Sequence, residues 1–336
     1  MIAAAAKVKE TCGSTLVLPS GGALPKSPQM NSWIISEAYA GLQAQALGLA
    51  EAAGLGPELR VLEPRPPWRW IPAARWIAPL AAVRMNSTDA PELVIGAGGV
   101  AAAVGAALRT PERQVVQVQH PRMDPRRFDL LVVNRHDRLT GPNVIVTRTA
   151  LHRAKPARLA AAAAIWRPRL AHLPRPLVAV LVGGSNGRFR LDRPVGEALA
   201  ASLAGMMDRD HVGLALTPSR RTAADVVDSF RTILAPRGAW IWDFQGDNPY
   251  FGLLALADAI IVTMDSVSMV SEAVATAAPV LLAHLPGRSR RIGDFLDGLL
   301  AEGRLRWFEG RLDLWPVVPL DDTAAAAAEM RQRLGF

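Results

Sequence analysis

Short uninterrupted apolar runs recur along this chain, and each ends in a Gly-rich or hydroxyl-rich loop that leads into a segment of helical periodicity. Leu177–Val182 runs into Gly183, Gly184, Ser185, Asn186 and Gly187, and residues 259–262 run into Thr263, Asp265, Ser266 and Ser268. A helical pattern carrying Glu272 then leads to Pro279 and the next run, 280–282. A strand apolar on both faces is covered on both faces, as in a parallel sheet flanked by helices. The chain is therefore expected to be α/β and doubly wound.

The pattern predicts strands at 33–36, 59–62, 93–95, 115–118, 130–133 and 144–146, with helices at 41–53 and 100–108. It restarts with strands at 177–182, 212–216, 239–241, 259–262 and 280–282 and helices at about 194–206, 222–234, 249–257 and 266–277, and ends in a helix at 323–334. A length of 336 residues exceeds what one core usually supports. Two Rossmann-like domains are expected, at 31–168 and 177–320, with a linker at 169–176 where prolines cluster and a C-terminal helix at 321–336. Residues 1–30, rich in Gly, Ser and Pro towards their end, read as a disordered extension. Met30 is a candidate start, and no apolar core follows Lys7 and Lys9 to make a secretory signal.

Basic residues exceed acidic ones by 38 − 30 = 8, and Lys occurs only at 7, 9, 26 and 155. An Arg-rich surface reflects either codon bias or attraction to phosphate. No helix-turn-helix spacing, zinc signature or RNA-binding motif appears, so no nucleic-acid partner is expected. Cys12 is the lone cysteine, which excludes an internal disulfide and fits a reducing, cytoplasmic setting. The six His and the acids show no metal-ligand spacing, and no run is long enough to span a bilayer.

Several strand-end loops carry groups that suit a diphosphate. Gly183, Gly184, Ser185 and Arg188 offer backbone access and donors, although neither the Walker nor the dinucleotide spacing is met and a plain turn is the alternative. Ser219, Arg220, Arg221 and Thr222 follow another strand and place two guanidiniums at the same sheet edge. Asp265 and Ser266 sit where a helix begins, and unpaired N–H groups there favour phosphate; an ordinary N-cap is the alternative. Asn248, Pro249 and Tyr250 open the preceding helix. In the first half, Glu37 follows the first strand, and His120 and the pair His136-Asp137 follow later strands as candidate bases. Finally, Trp68, Trp70 and Trp76 alternate with Arg65, Arg69, Arg75 and Arg84 in one segment. That composition suits the interface of an anionic membrane, or else a helix that packs its indoles inside the domain.

Together these motifs resemble the mitochondrial fission family named for elongated mitochondria in plants, whose bacterial members are regarded as GT-B glycosyltransferase-like; the chain is expected to be one of them. The resemblance rests on Gly41 with Gln45; Gly96-Ala97-Gly98; Phe128-Asp129-Leu130; His136-Asp137; Gly141-Pro142-Asn143-Val144; Gly183-Gly184; Ser219-Arg220-Arg221-Thr222; Asn248-Pro249-Tyr250; and residues 265–273. The second half also resembles the transferase that adds N-acetylglucosamine to the peptidoglycan lipid precursor. The resemblance implies two Rossmann-like domains facing a cleft, with a nucleotide-diphosphate sugar as donor substrate, no other cofactor and no metal. By analogy Ser185 and Arg220 would hold the diphosphate, Ser268 and Met269 would lie near phosphate or base, and Glu272 would accept from the ribose. One position departs from the family pattern: Leu42 stands where His commonly follows the glycine.

Two functions are therefore expected as alternatives. The first is a glycosyltransferase acting on a lipid or envelope-glycan acceptor. The second is a non-catalytic recruitment protein, peripheral on the inner face of a membrane. A dehydrogenase or epimerase fits less well, because both Gly-rich loops lack the dinucleotide fingerprint and no Tyr-x-x-x-Lys pair exists.

Overall fold

Two six-stranded parallel sheets form the molecule, each with helices on both faces. The computed structural model describes residues 30–85 and 91–336, so the expected extension (but for Met30) and Cys12 lie outside the described residues. In the first half the elements are β1 (Ser32–Ser36), α1 (Ala40–Ala52), β2 (Glu58–Val61), the two-stranded ribbon β3 (Glu63–Pro64) and β4 (Val83–Arg84), β5 (Leu93–Ala97), α2 (Gly99–Leu108), β6 (Gln114–Val118), β7 (Leu130–Asn134) and β8 (Val144–Thr147). The second half contains α3 (Pro156–Arg169), β9 (Leu177–Val182), α4 (Arg193–Asp210), β10 (Gly213–Pro218), α5 (Ala224–Leu234), β11 (Trp240–Ile241), α6 (Tyr250–Leu256), β12 (Ala259–Thr263), α7 (Val267–Val274), β13 (Val280–Ala283), α8 (Arg290–Ala301) and β14 (Leu305–Trp307). The last element is α9 (Thr323–Leu334).

The first sheet runs β2-β1-β5-β6-β7-β8 and the second β11-β10-β9-β12-β13-β14. Strand order thus reverses direction between β1 and β5 in one sheet and between β9 and β12 in the other. Crevices at the carboxyl ends of strands at such switch points are where α/β sheets bind ligands. Register brings the loops level: Ser36 pairs with Ala97 and Ala97 with Val118, while Val182 pairs with Pro218 and Leu181 with Val262. Leu177–Val182 is buried along its whole length, as its unbroken apolar run requires.

The division of the chain differs from the expected one. Instead of ending at 168, the first half gives way near residues 149–155: α3 packs on the second half, with Trp166, Leu170 and Leu173 in that core. The prolines did not interrupt the helix at once. Pro168 sits in its last turn, where one lost N–H bond is tolerated, and the segment 169–176 is partly buried rather than a free linker. Nor does the last helix stand alone, since Ala326, Ala327 and Met330 of α9 pack beside Leu49 and Ala50 of α1. The return crossing lies beside the outward one: Arg148 N donates to Asp322 at 2.6 Å, and Leu320 N donates to Val274 O at 2.9 Å.

Elements not anticipated include the β3–β4 ribbon, α8 and the edge strand β14. The Trp/Arg segment also departs from an amphipathic helix, because Pro66, Pro67 and Pro72 restrict it to two short 3-10 turns, Trp68–Trp70 and Ala73–Arg75. Trp76 is buried and meets the Trp68 ring edge-on at 6.3 Å, whereas Trp70 is 68% exposed with Arg69 stacked over it. Among the described residues, no helix is long and apolar enough to cross a membrane.

Candidate functional site

In the second half, the loops after β9, β10 and β12 are tied into one unit around a buried carboxylate. Asp265, whose side chain is fully buried, accepts from Arg221 Nη2 at 2.8 Å, Thr263 Oγ1 at 2.7 Å and Gly184 N at 3.2 Å. Thr263 Oγ1 in turn accepts from Gly183 N at 2.7 Å. A side chain at Gly183 would collide with the Asp265 carboxylate, and one at Gly184 with the backbone of Arg221. These glycines therefore allow a close approach between loops of the protein itself. Ser219 Oγ and Thr222 Oγ1 donate to Gly183 O, which completes the knot.

Other polar groups of these loops are also used internally. Ser185 Oγ donates to Leu191 O at 3.1 Å and accepts from Leu191 N at 2.8 Å, so its hydroxyl closes its own loop. Asn248 Oδ1 accepts from Tyr250 N, and Ser266 caps α7 by accepting from Met269 N at 3.3 Å. Glu272, one turn beyond Ser268 on the same face of α7, is buried and accepts from the Tyr250 hydroxyl at 2.6 Å. Burial pushes its carboxyl up to about 7, against the lowering by the Tyr250 hydrogen bond and Arg158; the phenol is raised as well, first by burial.

A cavity of about 300 Å³ lies between the two sheets at their carboxyl ends. Its second-half wall includes Arg188, Asp265, Ser266, Ser268 and Arg291, and its first-half wall includes Tyr39, Gly41, Leu42, Gln45, Gln119, Asn134, His136 and Asp137. The first turns of α1 and α7 face one another here, with Gly41 so close that a Cβ would stand 3.4 Å from Ser268 Oγ. Gln119 Nε2 donates to Gln45 Oε1 at 3.2 Å across the first-half wall.

The pair expected to orient a base does not form. His136 Nε2 lies 3.8 Å from Asp137 Oδ1, too far for a hydrogen bond, and Asp137 is engaged by Arg291 of α8 at 2.7 Å. Burial, the leading cause, pulls the His136 imidazole down to about 4, with its ring edge-on to Phe295 at 5.7 Å. His120 lines an adjoining cavity, where its Nδ1 accepts from Arg122 N at 2.9 Å. Glu37, raised by burial, lies near Gly98 and outside the lining of the central cavity.

Of the residues singled out in sequence, the central cavity thus gathers Arg188, Asp265, Ser266, Ser268, His136 and Asp137, with Gly41, Leu42 and Gln45 beside them. Gly183, Gly184, Ser219 and Arg221 do not line it; their loops hold Asp265, which does. Ser185, Asn248, Tyr250, Met269 and Glu272 are outside the lining, and Arg220 is exposed with no ion pair. Gln119, Asn134 and Arg291 were missed. The first two directly follow or end strands, which was a readable signal; Arg291 rides on the unrecognised α8. No group of three or more His, Cys, Asp or Glu able to hold a metal occurs among the described residues.

Comparison with known proteins follows the same outline. Residues 40–334 match the model of the family described as mitochondrial fission ELM1. The mitochondrial fission protein ELM1 of Arabidopsis thaliana is 33% identical over 279 residues, covering 73% of this chain and 64% of the relative, so the chain spans less than two thirds of that protein. Among solved structures, UDP-GlcNAc 2-epimerase from Methanocaldococcus jannaschii has a TM-score of 0.50 at 10% identity, covering 91% of this chain and 100% of the other. Medicago truncatula UGT71G1 complexed with UDP-glucose also has a TM-score of 0.50, at 11% identity, covering 90% and 93%. At such identities the likeness is one of fold, the GT-B arrangement of two Rossmann-like domains about a cleft.

Proposed function

From the premise that this chain belongs to the mitochondrial fission ELM1 family and has a GT-B-like fold, we propose that it binds a nucleotide-diphosphate sugar in the second half and transfers the sugar to an acceptor in the first. One observation carries the reading: the first turns of α1 and α7 face each other across a cavity whose wall also holds Arg188 and Arg291. Two positive helix ends and a guanidinium at one point favour a diphosphate. The carboxylates nearby do not cancel this field, since Asp265 is paired with Arg221 and Asp137 with Arg291.

In the proposed step an acceptor hydroxyl attacks the anomeric carbon, and the bond from that carbon to the diphosphate oxygen breaks with its electron pair leaving on the diphosphate. The α7 N-terminus and Arg188 take up that charge. The hydroxyl proton passes to His136 on the cavity wall, whose protonated form burial disfavours and the nearby Asp137 and Asp294 carboxylates favour. Glu272, bonded through Oε2 to Tyr250 and outside the cavity lining, supports α7 one helical turn behind Ser268 rather than touching the donor. UDP-GlcNAc 2-epimerase and UGT71G1 share the fold, so the reaction class rests on the site rather than on the fold.

Calorimetry with UDP-, GDP- and ADP-sugars tests the donor site. Binding of one donor, weakened about tenfold or more in Arg188→Ala, supports the reading; no binding by any of them refutes it. NMR of the bound donor alone would reveal epimerisation in place of transfer.

A second reading, membrane recruitment without turnover, is favoured by two observations. Leu42 fills the cavity wall where the family commonly carries His, and it cannot move a proton. Trp70 and Ile77, the latter 92% exposed, project near Arg65, Arg69 and Arg75, a combination suited to an anionic lipid interface. Co-sedimentation with phosphatidylserine vesicles distinguishes the readings, because only the second requires binding that Trp70→Ala abolishes.

A further inference from the structure

Beside the central cavity lies a second one of about 440 Å³, lined by His120, Arg122, His136, Asp137, Arg138, Arg290, Arg291 and Asp294. His136, Asp137 and Arg291 belong to both linings, so the two cavities are contiguous. Four arginines face two carboxylates there. Arg291 pairs with Asp137 at 2.7 Å and Arg138 with Asp294 at 2.7 Å, which leaves Arg122 of the first half and Arg290 of the second without an ion pair. A surplus of two positive charges, 4 − 2, held in a concave site is an unbalanced arrangement for a monomeric wall.

A second, independent observation points the same way. His136 Nδ1 and Arg291 Nε are buried without a hydrogen-bond partner, although the His136 side chain is only 4% exposed. Buried polar atoms are ordinarily satisfied, so orphans on the wall of a cavity indicate room for a polar occupant. The cavity also lies over the first turn of α8, where Arg290 and Arg291 begin the helix and its positive end favours an anion.

We propose that this second cavity is an anion subsite for the acceptor: the acceptor carries a phosphate group, which Arg122 and Arg290 clasp from opposite sides of the cleft while its hydroxyl points into the central cavity. The inference rests on the transferase reading for the word acceptor, and on the geometry alone for the anion site. It also assigns the Arg122–Arg290 pair a role in closing the cleft, because a shared phosphate bridges the two halves. A phosphorylated lipid and a free sugar phosphate present the same chemistry to these arginines.

The test is isothermal titration of the full chain with inorganic phosphate, alone and with saturating UDP, comparing wild type with Arg122→Ala/Arg290→Ala and with Arg188→Ala. Phosphate binding that persists beside UDP and falls about tenfold or more in the double variant supports the subsite. Phosphate binding that UDP abolishes, or that the double variant leaves unchanged, overturns it. Failure of the donor reading is distinguishable, since it appears as absent UDP binding while phosphate still depends on Arg122 and Arg290. Both arginines are exposed, so a folding defect is not expected, and Arg290→Glu gives a further reading by charge reversal. Glucose 1-phosphate and dodecyl phosphate micelles, titrated in parallel, separate the two sources: the higher affinity for one that is lost in the double variant identifies its class.

Discussion

Replacing Glu272 by Gln isolates one buried titration. In the wild type the carboxyl is raised from 4.5 to about 7, chiefly by burial. Because the folded value is above the unfolded one, the native state holds a proton that the unfolded chain has released between those values, and stability falls as pH rises through that window. A shift of 7 − 4.5 corresponds to roughly 3 kcal/mol, absent at about pH 4.5 and fully present above about pH 7. Gln keeps an oxygen for the Tyr250 hydroxyl and does not titrate. The stability advantage of Glu272→Gln over wild type should therefore grow by about 3 kcal/mol between about pH 4.5 and pH 8. The comparison must be between variant and wild type at each pH, since the depressed His136 acts with opposite sign over much of the same range and flattens the raw profile. Urea unfolding followed by circular dichroism measures it. A difference that stays constant within about 0.5 kcal/mol across that range would refute the burial argument.

Further outcomes follow from the other contacts. Gly183→Ala should lose about 2 to 3 kcal/mol in urea unfolding and all donor binding, because its methyl meets the buried Asp265. Asp265→Ala should lose about 2 to 3 kcal/mol, leaving Gly184 N and the Arg221 guanidinium unpaired; the half-exposed Arg221 keeps the loss below that of a fully buried pair. Stability of His136→Asn, relative to wild type, should improve as pH falls from about 6.5 towards 4, since the wild type loses stability there as its unfolded imidazole takes up a proton first. Trp70→Ala with Ile77→Ala should change stability by under about 0.5 kcal/mol, both side chains being exposed, and any vesicle binding should disappear with them.

The sheets were largely legible because parallel strands advertise themselves as unbroken apolar runs, and Ile34 and Ile35 or 259–262 could hardly be anything else. β14 was not, because Leu305 is buried but Arg306 and Trp307 are exposed at the sheet edge, which erases the run. α8 was readable in Ile292, Phe295, Leu296 and Leu299, four buried residues at helical spacing, but the Arg-rich start obscured it. Which loop residues face the cavity was beyond sequence. Ser185 and Ser266 look alike in the chain, yet one hydroxyl is consumed by Leu191 and the other opens a helix at the cavity wall. The two arginines at 220 and 221 are equally indistinguishable until the position of Asp265 selects the second.

The double crossing near Arg148 and Asp322 bears on how such a molecule can move. A single tether would let the halves swivel freely, whereas two straps fastened side by side act like the paired leaves of a door hinge. Swinging about the line through both straps remains cheap; twisting or sliding would shear the Arg148–Asp322 contact and the bond from Ala150 N to Ser271. The ion pairs Arg138 to Asp294 and Arg135 to Glu302 sit beside the straps, Arg148 lining one cavity with Arg135, Arg138 and Asp294, so they stiffen the hinge line itself.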